Sequence, residues 1–173
     1  AARRLAEAAN MVREDWNGFN VLHTAAARVA GLDLGLVSEG GIEGIYEACR
    51  TEAVDTVWLL GADELDMSRL GNAFVVYQGH HGDAGAHRAD VVLPGAAYTE
   101  KDGVYVNTEG RVQVGRRAVF PPGEAREDWR ILRAFSEVAG RRLPYDTLCA
   151  LRERLAAVHP VFADIDDSLT RAS

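Results

Sequence analysis

The sequence has 173 residues, 47% hydrophobic and 26% charged, and a formal net charge of −7. That length is enough for one domain able to bury roughly 70% of its unfolded surface, and no apolar run approaches the ~20 residues of a membrane span. The acidic balance excludes a nucleic-acid binder, which needs a basic face. No basic, apolar and small-residue leader stands at the N-terminus, so a cytoplasmic setting without direct membrane insertion is expected.

Helical and strand periods alternate along the chain. Leu5, Ala8, Ala9 and Val12 have the spacing of a first helix, broken by Asn17 and Gly18. Residues 19–22 read as a short strand. Ile42, Ile45, Tyr46 and Cys49 form the next helical stripe, introduced by Gly40 and Gly41. Three short apolar runs follow, at residues 57–60, 74–77 and 91–93, each bounded by turn residues and the first expected to be covered on both faces. Helix-length segments between them predict parallel βαβ units, with Gly61, Gly79 and Pro94 along one edge. Residues 104–106 and 112–114 alternate weakly around Asn107, Thr108, Glu109 and Gly110, as in a hairpin inserted on the sheet. Trp129, Ile131, Leu132, Ala134, Phe135, Ser136 and Val138 predict an amphipathic helix ending at Gly140. A last helix carries Leu148, Leu151, Leu155 and Val158, with Asp146 as its cap and Pro160 as its stop. From Asp164 onward, with Asp166 and Asp167, the chain reads as a polar tail. The fold class is therefore α/β: a Rossmann-like parallel sheet flanked by helices, with a hairpin insertion and C-terminal helices.

The edge at Gly61, Gly79 and Pro94 is where doubly wound sheets bind ligands. No Gly-x-Gly-x-x-Gly fingerprint follows a strand, however, and no Walker A loop occurs, which excludes a dinucleotide or nucleoside triphosphate held by those devices. His80, His81, Asp83 and His87 lie within eight residues and are the one set of candidate metal ligands. Adjacent histidines rarely converge on an extended chain, so hydrogen bonds at strand ends or an interface are the plainer reading. Asp63 and Glu64 could serve as acid and base, but a carboxylate after a strand more often caps a helix, as Asp63 or Asp66 would here. Cys49 and Cys149, the two cysteines of the chain, occupy apolar helical positions and read as buried small hydrophobes. An iron-sulfur cluster typically needs four thiolates, so none is expected here. Arg111, Arg116 and Arg117 cluster in one segment and suggest local ion pairs. Lys101 is the lone lysine.

The pattern Ala89-Asp90-Val91-Val92-Leu93-Pro94, Glu100, Gly103, Asn107-Thr108-Glu109-Gly110-Arg111 and Gln113 resembles the molybdopterin oxidoreductase superfamily. The histidine pair before Gly82, the segment from Gly95 to Lys101, and the flanks Trp16 to Ala26, Arg126 to Trp129 and Leu143 to Leu148 resemble one branch of it in particular. That branch is the large iron-sulfur subunit of NADH-quinone oxidoreductase (respiratory complex I). The resemblance covers most of residues 16–158.

It implies a domain that inherits the molybdopterin-enzyme fold and plays a structural part in an assembly moving electrons from NADH to quinone. Residues 1–143 would be a piece of that α/β domain and residues 144–173 a C-terminal helix and tail of the kind found in the large iron-sulfur subunit. It further implies no cofactor in this chain, iron-sulfur clusters in an N-terminal part outside it, and the other peripheral-arm subunits of complex I as partners. The location implied is the cytoplasmic side of a bacterial inner membrane, or the matrix side in a mitochondrion. Catalytic relatives bring the Asn-Thr-Glu region near the pterin nucleotide, which makes Thr99, Glu100, Asn107, Thr108, Glu109 and Arg111 candidates for a vestigial groove. Turn ordering by Asn107 and Thr108, with ion pairs at Glu109 and Arg111, is the structural alternative. A cofactor-binding piece of a formate dehydrogenase relative and a stand-alone metal-dependent enzyme are the competing functions.

Overall fold

A computed structural model describes residues 1–163, so the tail read from Asp164 onward lies outside the described residues. The N-terminal forty residues hold two short helices, α1 (Ala2–Ala8) and α2 (Arg28–Asp33). The first helix is shorter than its apolar spacing predicts. Asn10 turns to a φ of +55°, and Val12 leaves the helix to bridge Asn17. The strand expected at residues 19–22 is absent; that stretch is irregular, with Leu22 86% exposed. Its apolar residues have no paired edge to join, and propensity alone does not make a strand.

From α3 (Gly41–Arg50) onward the helices and strands fall where the pattern places them. Strands β1 (Thr56–Leu60), β2 (Phe74–Gly79) and β3 (Val91–Pro94) form a three-stranded parallel sheet in that order. Helix α4 (Ala84–Arg88) joins the last two. Tyr46 and Cys49 of α3 pack with Leu59, Leu70, Ala73, Val75 and Tyr77 and cover one face of the sheet, whereas Ile42 and Ile45 of the predicted stripe stay exposed at 41% and 38%. Burial of each such side chain is worth about 1.5–3 kcal/mol, which is why the stripe and the strands form together. Coverage of β1 is lopsided: Leu59 is 3% exposed but Leu60 50%. As an edge strand it is not enclosed on both faces, contrary to the reading of its continuous apolar run. Asp90 steadies the sheet by accepting from the Val75 N–H at 2.8 Å. Arg88 donates to the carbonyls of Gly71 and Ala73 at 3.0 and 2.9 Å.

The hairpin β4 (Gly103–Val106) and β5 (Val112–Gly115) is antiparallel, in the register Val106↔Val112. It is a separate two-stranded sheet, not an extension of the first. Its core is made of Val106, Val112 and Phe162, with Val29, Ala30, Val104 and Leu155 against them. A lone hairpin is marginal in water, and here α2 and the C-terminal segment supply the missing apolar surface.

Helix α5 (Asp128–Val138) starts with an acidic residue at its positive dipole end and finishes before Gly140, whose φ is +71°. Its inward face differs in part from the expectation: Ser136 is buried as its place in the stripe implies, but so is Arg133, while Phe135 and Val138 are 51% and 88% exposed. The guanidinium of Arg133 can be buried because Asp146, Glu137 and the Tyr145 carbonyl all accept from it. This use of Asp146 also corrects its assignment as a cap. The hydroxyl of Thr147 caps α6 (Leu148–Val158), accepting from the Ala150 N–H at 3.1 Å. Cys149 is exposed on α6, against the reading of both cysteines as buried, while Cys49 is buried in the sheet core.

Candidate functional site

Parallel pairing puts the three strand exits side by side. Leu60 lies opposite Gln78 and Gly79 opposite Pro94. The Gly61 N–H donates to the Gln78 carbonyl at 2.7 Å, and the Gly95 N–H to the Gly79 carbonyl at 2.8 Å. Beyond β3 the edge continues as a single parallel bridge, Gly95 to Arg126, closed by Ala96 N–H to Arg126 O and Arg126 N–H to Pro94 O.

At the centre of that edge sits Gln78, fully buried at 0% exposure. A buried amide costs free energy unless its groups are paired, and this one is paired on both sides. Its Oε1 accepts from Trp58 Nε1 at 3.2 Å, and its Nε2 donates to the Asp128 Oδ1 at 3.0 Å and the Asp128 carbonyl at 3.2 Å. Lys101 closes the network with an ion pair to the other oxygen of Asp128. Gly95 leaves room beside it: a Cβ there would stand 3.0 Å from Asp128 Oδ1, a tight contact that the carboxylate would have to yield to. Gln78 thus ties the middle strand to the start of α5 and to the loop before the hairpin. The sequence signals were slight, a polar residue ending an apolar run and the one lysine of the chain. Neither marks a network without the register.

On the opposite face of β2, burial and the nearby carboxylates of Asp63 and Asp83 push the Tyr77 phenol above its ordinary value. It stays protonated at neutral pH. Asp63 is engaged as an acceptor from the Gly85 N–H, and Asp66 caps the 3-10 turn Met67–Leu70 by accepting from the Ser68 N–H. Both therefore hold backbone. His80, His81, Asp83 and His87 are all exposed, and the rings of the first two meet edge-on at 4.4 Å. Among the described residues no three His, Cys, Asp or Glu side chains gather at one point.

The groove candidates fall in two places. Thr99 and Glu100 lie in the loop before β4, where the Thr99 carbonyl accepts from the N–H groups of Ala118 and Val119 at 2.8 and 3.1 Å. Glu100 accepts from the Ala97 N–H at 2.9 Å. Asn107, Thr108, Glu109 and Arg111 lie at the hairpin tip, a four-residue strand away, which is about 13 Å of rise. The Asn107 side chain accepts from the N–H groups of Glu109 and Arg111 at 3.0 and 2.9 Å, and Gly110 takes a φ of +82° that few other residues adopt cheaply. Asn107 orders the turn.

Residues 1–138 match the molybdopterin oxidoreductase family. The chain belongs to that family. Within it, the chain is 51% identical over 168 residues to the mitochondrial NADH dehydrogenase [ubiquinone] iron-sulfur protein 1 of Solanum tuberosum, covering 96% of this chain and 22% of that protein. It is 52% identical over 160 residues to the mitochondrial 78 kDa subunit of NADH-ubiquinone oxidoreductase of Neurospora crassa, covering 92% of this chain and 21% of that one. With the corresponding 78 kDa subunit of Candida albicans it shares 54% over 147 residues, 84% of this chain and 19% of that one. The chain thus spans about a fifth of the length of these relatives.

The name of the molybdopterin oxidoreductase family points to a pterin cofactor, and two of the groove candidates have their side chains engaged locally. The side chains of Glu100 and Asn107 close their own loops. The buried side-chain nitrogens without partners among the described residues belong to Trp129, Arg152 and His159, on α5, on α6 and just after α6. No helix among the described residues is long and apolar enough to cross a membrane.

Proposed function

We propose that this chain is the C-terminal region of the iron-sulfur subunit of NADH-quinone oxidoreductase, acting as scaffold in an assembly that passes electrons from NADH to quinone. The observation that carries the reading is identity of 51–54% to relatives of that name across 84–96% of the chain. Its clusters would lie in the remaining four-fifths of the subunit, because two cysteines, one buried and one exposed, do not make the usual four-thiolate site. Its partners would be other peripheral-arm subunits, on the cytoplasmic side of a bacterial membrane or the matrix side of a mitochondrial one. The family match stops at residue 138 while the similarity to the Solanum protein runs over 168 residues. That difference supports residues 144–173 as an extension particular to this branch. The rival reading, a pterin-binding piece of a formate dehydrogenase relative, is disfavoured by the internal bonding of Glu100 and Asn107.

Glu109→Ala and Arg111→Ala in the full-length subunit test the scaffold reading. The measurement is NADH-quinone turnover divided by intact complex in membranes. The expected ratio is near that of the unmodified protein; a large fall in complexes that still assemble would establish a working groove.

A further inference from the structure

We infer that the cleft between the segment after the hairpin and the start of α5 is a docking site for an acidic segment of a neighbouring protein in the assembly. The inference rests on the assembly reading above and adds the chemistry of the contact. Arg117, Phe120, Pro121, Ala125, Arg126, Glu127 and Arg130 line this cleft of about 320 Å³. Three arginines converge there on a chain whose net charge is −7.

Two of them are already committed in part. Arg126 donates to Glu124 at 3.1 Å, and Arg130 uses its Nε on Glu127 at 2.7 Å. The Glu127 carboxylate is 11% exposed, whereas the Arg130 side chain is 61% exposed. The Arg130 guanidinium also lies over the Trp129 ring, 5.0 Å from its centroid, and keeps much of its surface in solvent. Arg117 differs: among the described residues its guanidinium has no carboxylate and lies 4.4 Å from the ring centroid of Phe120. That ring is itself 79% exposed, beside Val119 at 55%. Arginine stacked on an aromatic keeps its planar face covered and its N–H edge open, the arrangement that takes a carboxylate in two parallel hydrogen bonds.

Both walls are held before any partner arrives. The Arg117 N–H donates to Asp102, and those of Ala118 and Val119 donate to the Thr99 carbonyl. On the other side Arg126 is zipped to Pro94 and Ala96 beyond β3. A fixed cleft spares the ordering entropy that a mobile one loses on binding. Surface arginine and aromatic side chains on rigid backbone are the usual anchors of an interface. An acidic chain as a whole repels an acidic segment, so a local group of arginines helps to set where that segment lands. The occupant that fits is a short stretch with two or more carboxylates, one for Arg117 and one for Arg130, and an apolar residue to cover Phe120.

The test uses the full-length subunit in its native complex. Phe120→Cys, in a subunit whose exposed Cys149 is replaced by serine, carries a maleimide benzophenone, and after irradiation the peptide attached at position 120 is identified. The expected result is one adduct, on a stretch with at least two Asp or Glu close together in a neighbouring polypeptide, weakened about tenfold when Arg117→Glu is added and weakened less by Arg117→Lys, which keeps the charge but loses the planar fork. Three outcomes would each overturn the proposal: an adduct on a stretch without carboxylates, an adduct indifferent to Arg117→Glu, or an introduced thiol labelled as fast in the complex as in the dissociated subunit. Whether NADH-quinone turnover co-purifies with the chain judges the assembly reading separately. An Arg117-dependent acidic contact in some other assembly would sustain the cleft and sink that reading.

Discussion

The parallel sheet and the hairpin each bury a cluster of their own, and they gather it from very different distances along the chain. The sheet's cluster runs from Tyr46 to Tyr77, with every buried member inside one stretch of alternating helix and strand. The hairpin's cluster joins Val29 and Ala30, near the start, to Leu155 and Phe162, near the end of the described residues. The first is close to a self-contained unit. The second exists only once the two ends have met, so it closes a much longer loop and bears the larger entropy cost.

The strongest test of that contrast is Phe162→Ala against Leu70→Ala. Both side chains are almost fully buried, at 1% and 0% exposure. Phe162→Ala should cost about 3–5 kcal/mol and Leu70→Ala about 2–5 kcal/mol. Urea unfolding followed by tryptophan fluorescence and by amide exchange of the Tyr105 N–H, in the hydrogen-bonded pair with Gln113, distinguishes the cases. If the hairpin is the later and weaker unit, Phe162→Ala frees the Tyr105 amide at urea concentrations where the sheet persists. A single shared transition in both variants would show that the two clusters stand or fall together.

Gln78→Leu comes next, because the Gln78 network is what links the sheet to the loop leading into the hairpin. The change strands the Trp58 indole N–H and one oxygen of Asp128, with an expected loss of about 1–3 kcal/mol. Faster proteolysis of the loop at residues 95–102 should accompany it. Unchanged proteolysis would mean that the Gly95–Arg126 bridge holds the loop without the amide.

Asn107→Ala acts on the hairpin alone. Two turn N–H groups lose their acceptor, so about 0.5–1.5 kcal/mol should be lost, with no change in sheet amide protection. A loss as large as that of Phe162→Ala would contradict the view that the remote cluster, not the turn, holds the hairpin.

The smallest expected effect is on acid stability. Hydrogen bonds from Arg133, then Arg142, hold the Asp146 carboxyl below its ordinary value. A depressed carboxylate stabilises the fold above its unfolded pKa, and that contribution is lost as pH falls through the lower folded value. Asp146→Asn should therefore lower stability slightly at neutral pH, where that contribution is fully present, and flatten the acid limb below the ordinary aspartate range, by a small amount because the group is exposed and screened. Thermal midpoints measured across that range check it.

What the sequence determined by itself was everything that short-range periodicity and turn chemistry can encode. The apolar runs at 57–60, 74–77 and 91–93 specified three strands. The spacing from Ile42 to Cys49 specified the helix over them, and Asn107 with Gly110 specified the hairpin turn. The family was also legible, because its motifs are runs of consecutive residues. The strand misread at 19–22, the exposed Phe135 and Cys149, and the capping role given to Asp146 all failed for one reason. An apolar or acidic residue states what it can do, and only its neighbours in space decide which of those things it does. Gln78 meeting Asp128, Phe162 meeting Val106, and Arg117 stacked on Phe120 beside Arg130 were settled by tertiary structure, because hydrogen bonds and packing act over a few ångströms whatever the separation along the chain.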